Sequence, residues 1–307
     1  MPYDEKITKI LLENARCKRE YFLNIVSVIL TLGINILLIY ASYHLANTPE
    51  IAETISNFLG INYEFIAFLS TFNSYAIIVL LICIFVFICF YNASYQIRSG
   101  LKNFSIDIMP EKKCNDLFEN YCKLLNIKKP ILFFNDNVYD SSIFGVKIRG
   151  KKAIGVPSRV YFNIVRLNDY HSFNYQVTST LGSIYLGHYD LLFQLFTFWA
   201  RIIPFYNRLY SRTLSYSTDR VAQILIGTYP LITSILRETS GMDFITDESA
   251  KEIVSSDFAM TKFEKSVSII YGLKNEYPLP YFRITRILDN EEKDKEFINN
   301  LNNETLS

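Results

Sequence analysis

The chain has 307 residues, half of them hydrophobic, with 31 Lys and Arg against 30 Asp and Glu, for a formal net charge of +1. That balance supplies no basic field of the kind nucleic-acid binding needs, so nucleic acid is excluded as a partner. The length would hold two average domains, but the apolar excess crowds into the first hundred residues.

Residues 1–20 form a short charged segment carrying Lys6, Lys9, Arg16, Lys18 and Arg19. From Tyr21 to Pro49 no charged residue occurs. This exceeds the ~20 residues that cross a bilayer and predicts a transmembrane helix over 21–46. The apolar run is too long for the core of a cleavable signal peptide. A short acidic loop, 47–64, with Glu50, Glu53 and Glu64, leads to a second charge-free stretch, and a second transmembrane helix is predicted over 65–97. The loop has no Lys or Arg, whereas both outer flanks do. The positive-inside rule then places the N-terminus and the C-terminal domain in the cytosol, the loop outside, and the protein in the inner or cytoplasmic membrane. In that compartment Cys17, Cys114 and Cys122 stay reduced, the last two as buried or half-buried helix residues, and no C-x-x-C pair offers a thiolate metal site.

Beyond the membrane segments the pattern predicts a mainly helical α+β domain over 98–289 with a small β-sheet. Leu117, Tyr121, Leu124 and Leu125 recur at helical spacing within 110–127. Short strands are expected at 131–134 and 151–157, and Asp140–Gly145, DSSIFG, reads as an edge strand. A central helix is predicted from 169–172 through Gly187. The aromatic stretch 191–206, interrupted by Arg201 and Pro204, suits a hairpin in or near the membrane interface. Helices follow over 209–227, from Pro230, and over 257–271; 241–256 reads as an acidic surface insertion and 290–307 as a flexible, Asn-rich tail.

Two stretches carry the chemical argument: Thr178–Ile184, TSTLGSI, and Ser211–Asp219, SRTLSYSTD. They resemble the A-H-E-L-G-H-I and S-R-x-x-E-x-x-A-D elements of the HtpX-like membrane zinc metalloproteases, of zincin type. Tyr277–Leu288 resembles that family's closing H-P-L-P-x-x-x-R-I-x-x-L element, with Tyr277 in place of the His. The resemblance covers roughly Leu117 to Leu288 in the family's order. It implies a zincin-like fold in which Ser179 and Ser183 stand at the two His ligands, Thr180 at the general base and Ser215 at the third ligand. Leu181, Gly182, Asp219, Arg220, Pro278 and Arg283 keep the family's frame. Asp219 would be a partner of the ligands rather than a ligand, Arg283 an anchor for the last helix, and Ser142, Ile143 and Phe144 a possible peptide-binding edge.

A helix-borne zinc site needs imidazoles at i and i+4 with a Glu beside the first. Neutral hydroxyls are not ordinary zinc ligands. The chain has three His, at 44, 171 and 188. His188, nine residues after Ser179, points about 180° away around the helix. The zinc of active relatives is therefore not expected here, and no other cofactor is implied. The expectation is an inactive pseudoprotease, anchored in the bilayer and binding a protein or peptide partner. Two alternatives stand beside it: residual endopeptidase activity, metal- or Ser-based, and immunity or stress tolerance against a membrane-active peptide.

Overall fold

The computed structural model describes residues 3–47, 112–135, 144–148, 151–157, 168–197, 203–242, 244–255 and 279–305, with isolated positions between them. The expected second transmembrane helix (65–97), most of the 47–64 loop, the helix over 257–271, Ser142, Ile143, Tyr277 and Pro278 lie outside the described residues.

Helix α1 (Glu5–Glu13) is capped by Asp4, whose carboxylate accepts from the Ile7 N–H at 2.8 Å. Its apolar stripe is buried through Leu11 and Leu12, with Ala15 just beyond. The N-terminal segment is thus part of the core, not merely a charged leader to the membrane: Leu11, Leu12 and Ala15 pack in one cluster with Phe118, Val177 and Leu181. After a break at 14–17 the chain enters α2 (Lys18–Asn47). The helical stretch Glu5–Leu37, which contains this break, is long and apolar enough to cross a membrane, and only 22% of its most apolar window is buried. A core helix of a soluble protein would bury most of such a window. The exposed side chains form a stripe of Phe22, Ile25, Ile29, Leu32 and Ile36.

Helix α3 (Lys112–Leu124) precedes strands β1 (Ile131–Asn135), β2 (Phe144–Ile148) and β3 (Lys151–Pro157). The sheet order is β1-β3-β2, with β1 parallel and β2 antiparallel to β3. Central β3 turns Ile154 and Val156, two residues apart and fully buried, towards the helices. Strand β2 pairs with β3 alone among the described residues, so the DSSIFG stretch runs into an edge strand.

Two helices carry the rest: α4 (His171–Tyr185) and α6 (Pro204–Ile226), with the short α5 (Leu191–Phe196) between them. Their crossing is tight at Gly182. A Cβ there would lie 3.1 Å from Val221 Cβ and 3.4 Å from the Thr218 carbonyl oxygen, so any side chain pushes α6 away. Gly182→Ala should cost a net ~1 kcal/mol in a chemical or thermal melt, since overpacking of ~1–3 kcal/mol exceeds the ~1 kcal/mol gain in helix propensity. A more stable Ala variant would show the crossing to be loose.

Helix α7 (Thr228–Ser240) ends at Gly241, in the left-handed conformation at φ 71°. The following stretch is mostly exposed, as expected of a surface segment, but two of its residues turn inward: Ile245 and, on α8 (Asp247–Ser255), Ala250 are buried against α7, and Arg237 Nε donates to the Ile245 carbonyl at 2.7 Å. The chain does not fray after Asp289. Helix α9 runs unbroken over Pro280–Thr305, and Asp294, 3% exposed, is gripped by both Arg220 Nη atoms and by the Tyr3 hydroxyl at 3.1 Å. Burial first, and then Asp294, pushes the Tyr3 hydroxyl up to about 12. The polar tail composition hid one inward carboxylate that fixes the helix.

Candidate functional site

The four positions expected to carry metal chemistry all lie on α4 and α6, the pair packed together at Gly182. Ser179, Ser183 and Ser215 are half-buried, while Leu181 beside them is wholly buried in the core. Thr180, the fourth, is buried. The Thr180 and Ser215 hydroxyls are turned onto their own helices. Thr180 Oγ1 donates to the Gln176 carbonyl at 2.9 Å, and Ser215 Oγ to the Ser211 carbonyl at 3.0 Å. A hydroxyl bonded back to the i−4 carbonyl is neither a base nor an activated nucleophile. Among the described residues no three His, Cys, Asp or Glu side chains gather where they could hold a metal ion.

Asp219 and Arg283 are separate elements of the frame in sequence, and the structure joins them. Arg283 Nε donates to Asp219 Oδ2 at 2.8 Å and Nη2 to Oδ1 at 2.6 Å, and Nη2 also meets the Tyr175 hydroxyl. Arg283 and Asp219 are 8% and 3% exposed. Burial opposes the guanidinium's charge, but Asp219 and Tyr175 outweigh it and hold Arg283 well above its ordinary range. Burial likewise pushes the Tyr175 hydroxyl up. The carboxylate's lone pairs are thus spent on α9. In this chain Asp219 ties three helices, α4, α6 and α9, rather than orienting a ligand. Arg220, next to it, reaches Gln223 Oε1 at 3.1 Å and Asp294.

His188 lies beyond the end of α4, after Leu186 and the positive-φ Gly187, so the helical phase expected to turn it from Ser179 does not apply; it has its own partner. Its Nε2 lies 3.1 Å from Glu20 Oε1, and the ring stacks on Phe193 at 5.5 Å. Glu20 is completely buried, Arg16 Nε sits 3.0 Å from the same oxygen, and Arg16 also donates to the Leu186 carbonyl. The sequence reading missed this cluster. Its signal was present: Glu20 is the last charge before the apolar stretch, where an unpaired carboxylate would be costly.

Phe144 opens edge strand β2, which lies against α4 together with β3. A concavity of about 780 Å³ opens at the N-terminal end of α4 between Asn120, Tyr121, His171, Asn174 and Ser234. Its carboxylate, Asp169, is committed to Arg237 and to the His171 N–H at 3.0 Å. Comparison with protein-family models, with curated proteins and with solved structures finds no match for this chain.

Proposed function

We propose that this chain is a membrane-anchored pseudoprotease built on the frame of the HtpX-like metalloproteases, and that the surface between edge strand β2 and helix α4 holds a polypeptide. The observation that carries the reading is the pairing of a kept frame with disarmed chemistry. Gly182, Asp219 and Arg283 hold the helices together, while Thr180 and Ser215 are bonded to their own backbone. An edge strand with an open side can take an extended peptide by backbone pairing, and α4, which packs on it, carries half-buried Ser179 and Ser183, whose hydroxyls accept and donate without charge. Serine-based hydrolysis gains no support: among the described residues the partners of His188 are Glu20 and Phe193, and no serine hydroxyl is one of them. In this reading helix α2 is the anchor, and the Lys and Arg at its N-terminal end, through the positive-inside rule, support a cytosolic domain at the inner or cytoplasmic membrane.

The detergent-purified chain is expected to carry far less than one zinc per molecule and to leave casein uncut. A photoreactive residue placed at Ser183 in cells should crosslink to a polypeptide, whereas one at exposed Lys251 on α8 should not. Stoichiometric zinc with chelator-sensitive cleavage would sink the pseudoprotease reading. Crosslinks at Lys251 and none at Ser183 would move the binding surface elsewhere.

A further inference from the structure

The concavity at the N-terminal end of α4 lies on a different side of that helix from the hydroxyls considered above. Asn174, which lines it, and Ser179 are five residues apart on α4 and so roughly 140° apart around the helix. Leu117, Asn120, Tyr121 and Leu124 give the concavity one face of α3, at i, i+3, i+4 and i+7. Another wall is the corner where α6 passes into α7 at Gly227, whose φ is 95°.

These walls are braced by their own contacts. Ser234 Oγ donates to the His171 carbonyl at 3.2 Å, and Arg237 pairs with Asp169, so α7 is tied to the start of α4. The Lys113 ammonium lies 4.0 Å from the centre of the Tyr170 ring, which ties α3 to the same place. A braced hollow of about 780 Å³ is in the size range of sites that enclose a small molecule.

Two polar groups of the lining have no partner. Asn174 Oδ1 is buried and makes no hydrogen bond. The Tyr121 side chain is 7% exposed, and its hydroxyl meets no partner among the described residues. Burial alone pushes that hydroxyl up to about 12, so it stays an O–H donor at neutral pH. A buried donor or acceptor left unmet is costly, so a ligand gains most by meeting these two. The charges nearby are engaged: Asp169 is the one carboxylate of the described lining, Arg237 holds it, and no Lys or Arg joins it there. An ionised ligand would be buried without a counter-charge, and a hydrocarbon would leave Asn174 and Tyr121 unmet.

We propose that this cavity binds an uncharged small molecule carrying an amide or lactam group on an apolar body. Its N–H is donated to Asn174 Oδ1, its carbonyl accepts from the Tyr121 hydroxyl, and its body lies against Leu117, Leu124 and Ile226.

The test uses the full chain in neutral detergent with four fluorinated probes of similar size, read by fluorine NMR line broadening against detergent alone. 4-Fluorobenzamide should bind about five- to tenfold tighter than 4-fluoroacetophenone, which keeps the carbonyl and loses the N–H. Asn174→Leu should erase that difference, and Tyr121→Phe should weaken both probes by a similar factor. Each variant removes a polar atom that has no partner, so each should melt no lower than the wild type. Tyr121→Phe changes the shape least and stays informative even if Asn174→Leu folds poorly. 4-Fluorobenzoate and 4-fluorobenzylammonium should bind more weakly than the amide. Equal affinity of the wild-type chain for amide and ketone, or affinities unmoved by both substitutions, would overturn the site. Tighter binding of the benzoate would make the cavity an anion site instead. Binding of none of the four would leave it to water and end the proposal.

Discussion

Arg283→Ala should cost about 3–5 kcal/mol, because removing one member of a buried, bidentate ion pair leaves the Asp219 carboxylate buried and alone. For a domain of this size that corresponds to a fall of roughly 10 °C in melting temperature. Far-ultraviolet circular dichroism on the detergent-solubilised chain would read it. Arg283→Lys should recover little, since an ammonium cannot span both carboxylate oxygens and also reach the Tyr175 hydroxyl. Replacing Arg283 and Asp219 together by Met and Leu should be far milder than either Ala variant, because the penalty belongs to the orphaned charge. An Arg283→Ala protein within ~1 kcal/mol of wild type would mean that α9 is held by its apolar face alone, through Ile284 and Ile287.

The second large effect is a gain. If Ser179, Ser183 and Ser215 occupy the ligand positions of a zincin frame, then Ser179→His, Ser183→His and Ser215→Glu in one chain should bind zinc. Stoichiometry should rise from near zero to about one per chain, with two His and one carboxylate leaving a fourth position open to water. The half-buried setting of all three serines leaves room for larger side chains. Zinc content by elemental analysis decides it, with the Ser179→His and Ser183→His double variant as control. A folded triple variant that takes up no zinc would show that these helices do not share the metalloprotease geometry, and the HtpX-like frame would fall with it.

Periodicity made the helices and strands legible. β3 spans 151–157 as expected, and the central helix runs over 171–185 within its expected bounds. Such elements advertise themselves because one face of each is apolar. What stayed hidden were charges that look like surface charges in sequence. Glu20, Arg16 and Asp294 sit in polar stretches, and only the tertiary fold turns them inward onto His188 and Arg220. The same blindness hid the two inward residues of the mostly exposed 241–256 stretch, Ile245 and Ala250, which are too few to set a period. Within the candidate site the residue types were readable but their engagements were not. That Asp219 would be claimed by Arg283, 64 positions away, is a fact of packing between α6 and α9.

The Arg16–Glu20–His188 cluster has a mechanical consequence. Helix α2 has 30 residues, about 45 Å of helix, against a hydrocarbon layer about 30 Å thick. In a bilayer it must lean or protrude, and how far it leans depends on the thickness of the lipid. Its head is not on a swivel: Glu20 is bolted to the end of α4 by His188, and Arg16 to the Leu186 carbonyl. If α2 anchors the chain in a bilayer, any lean of it is a lean of the domain it is bolted to, and the lipid around α2 would set the angle of the β2 edge.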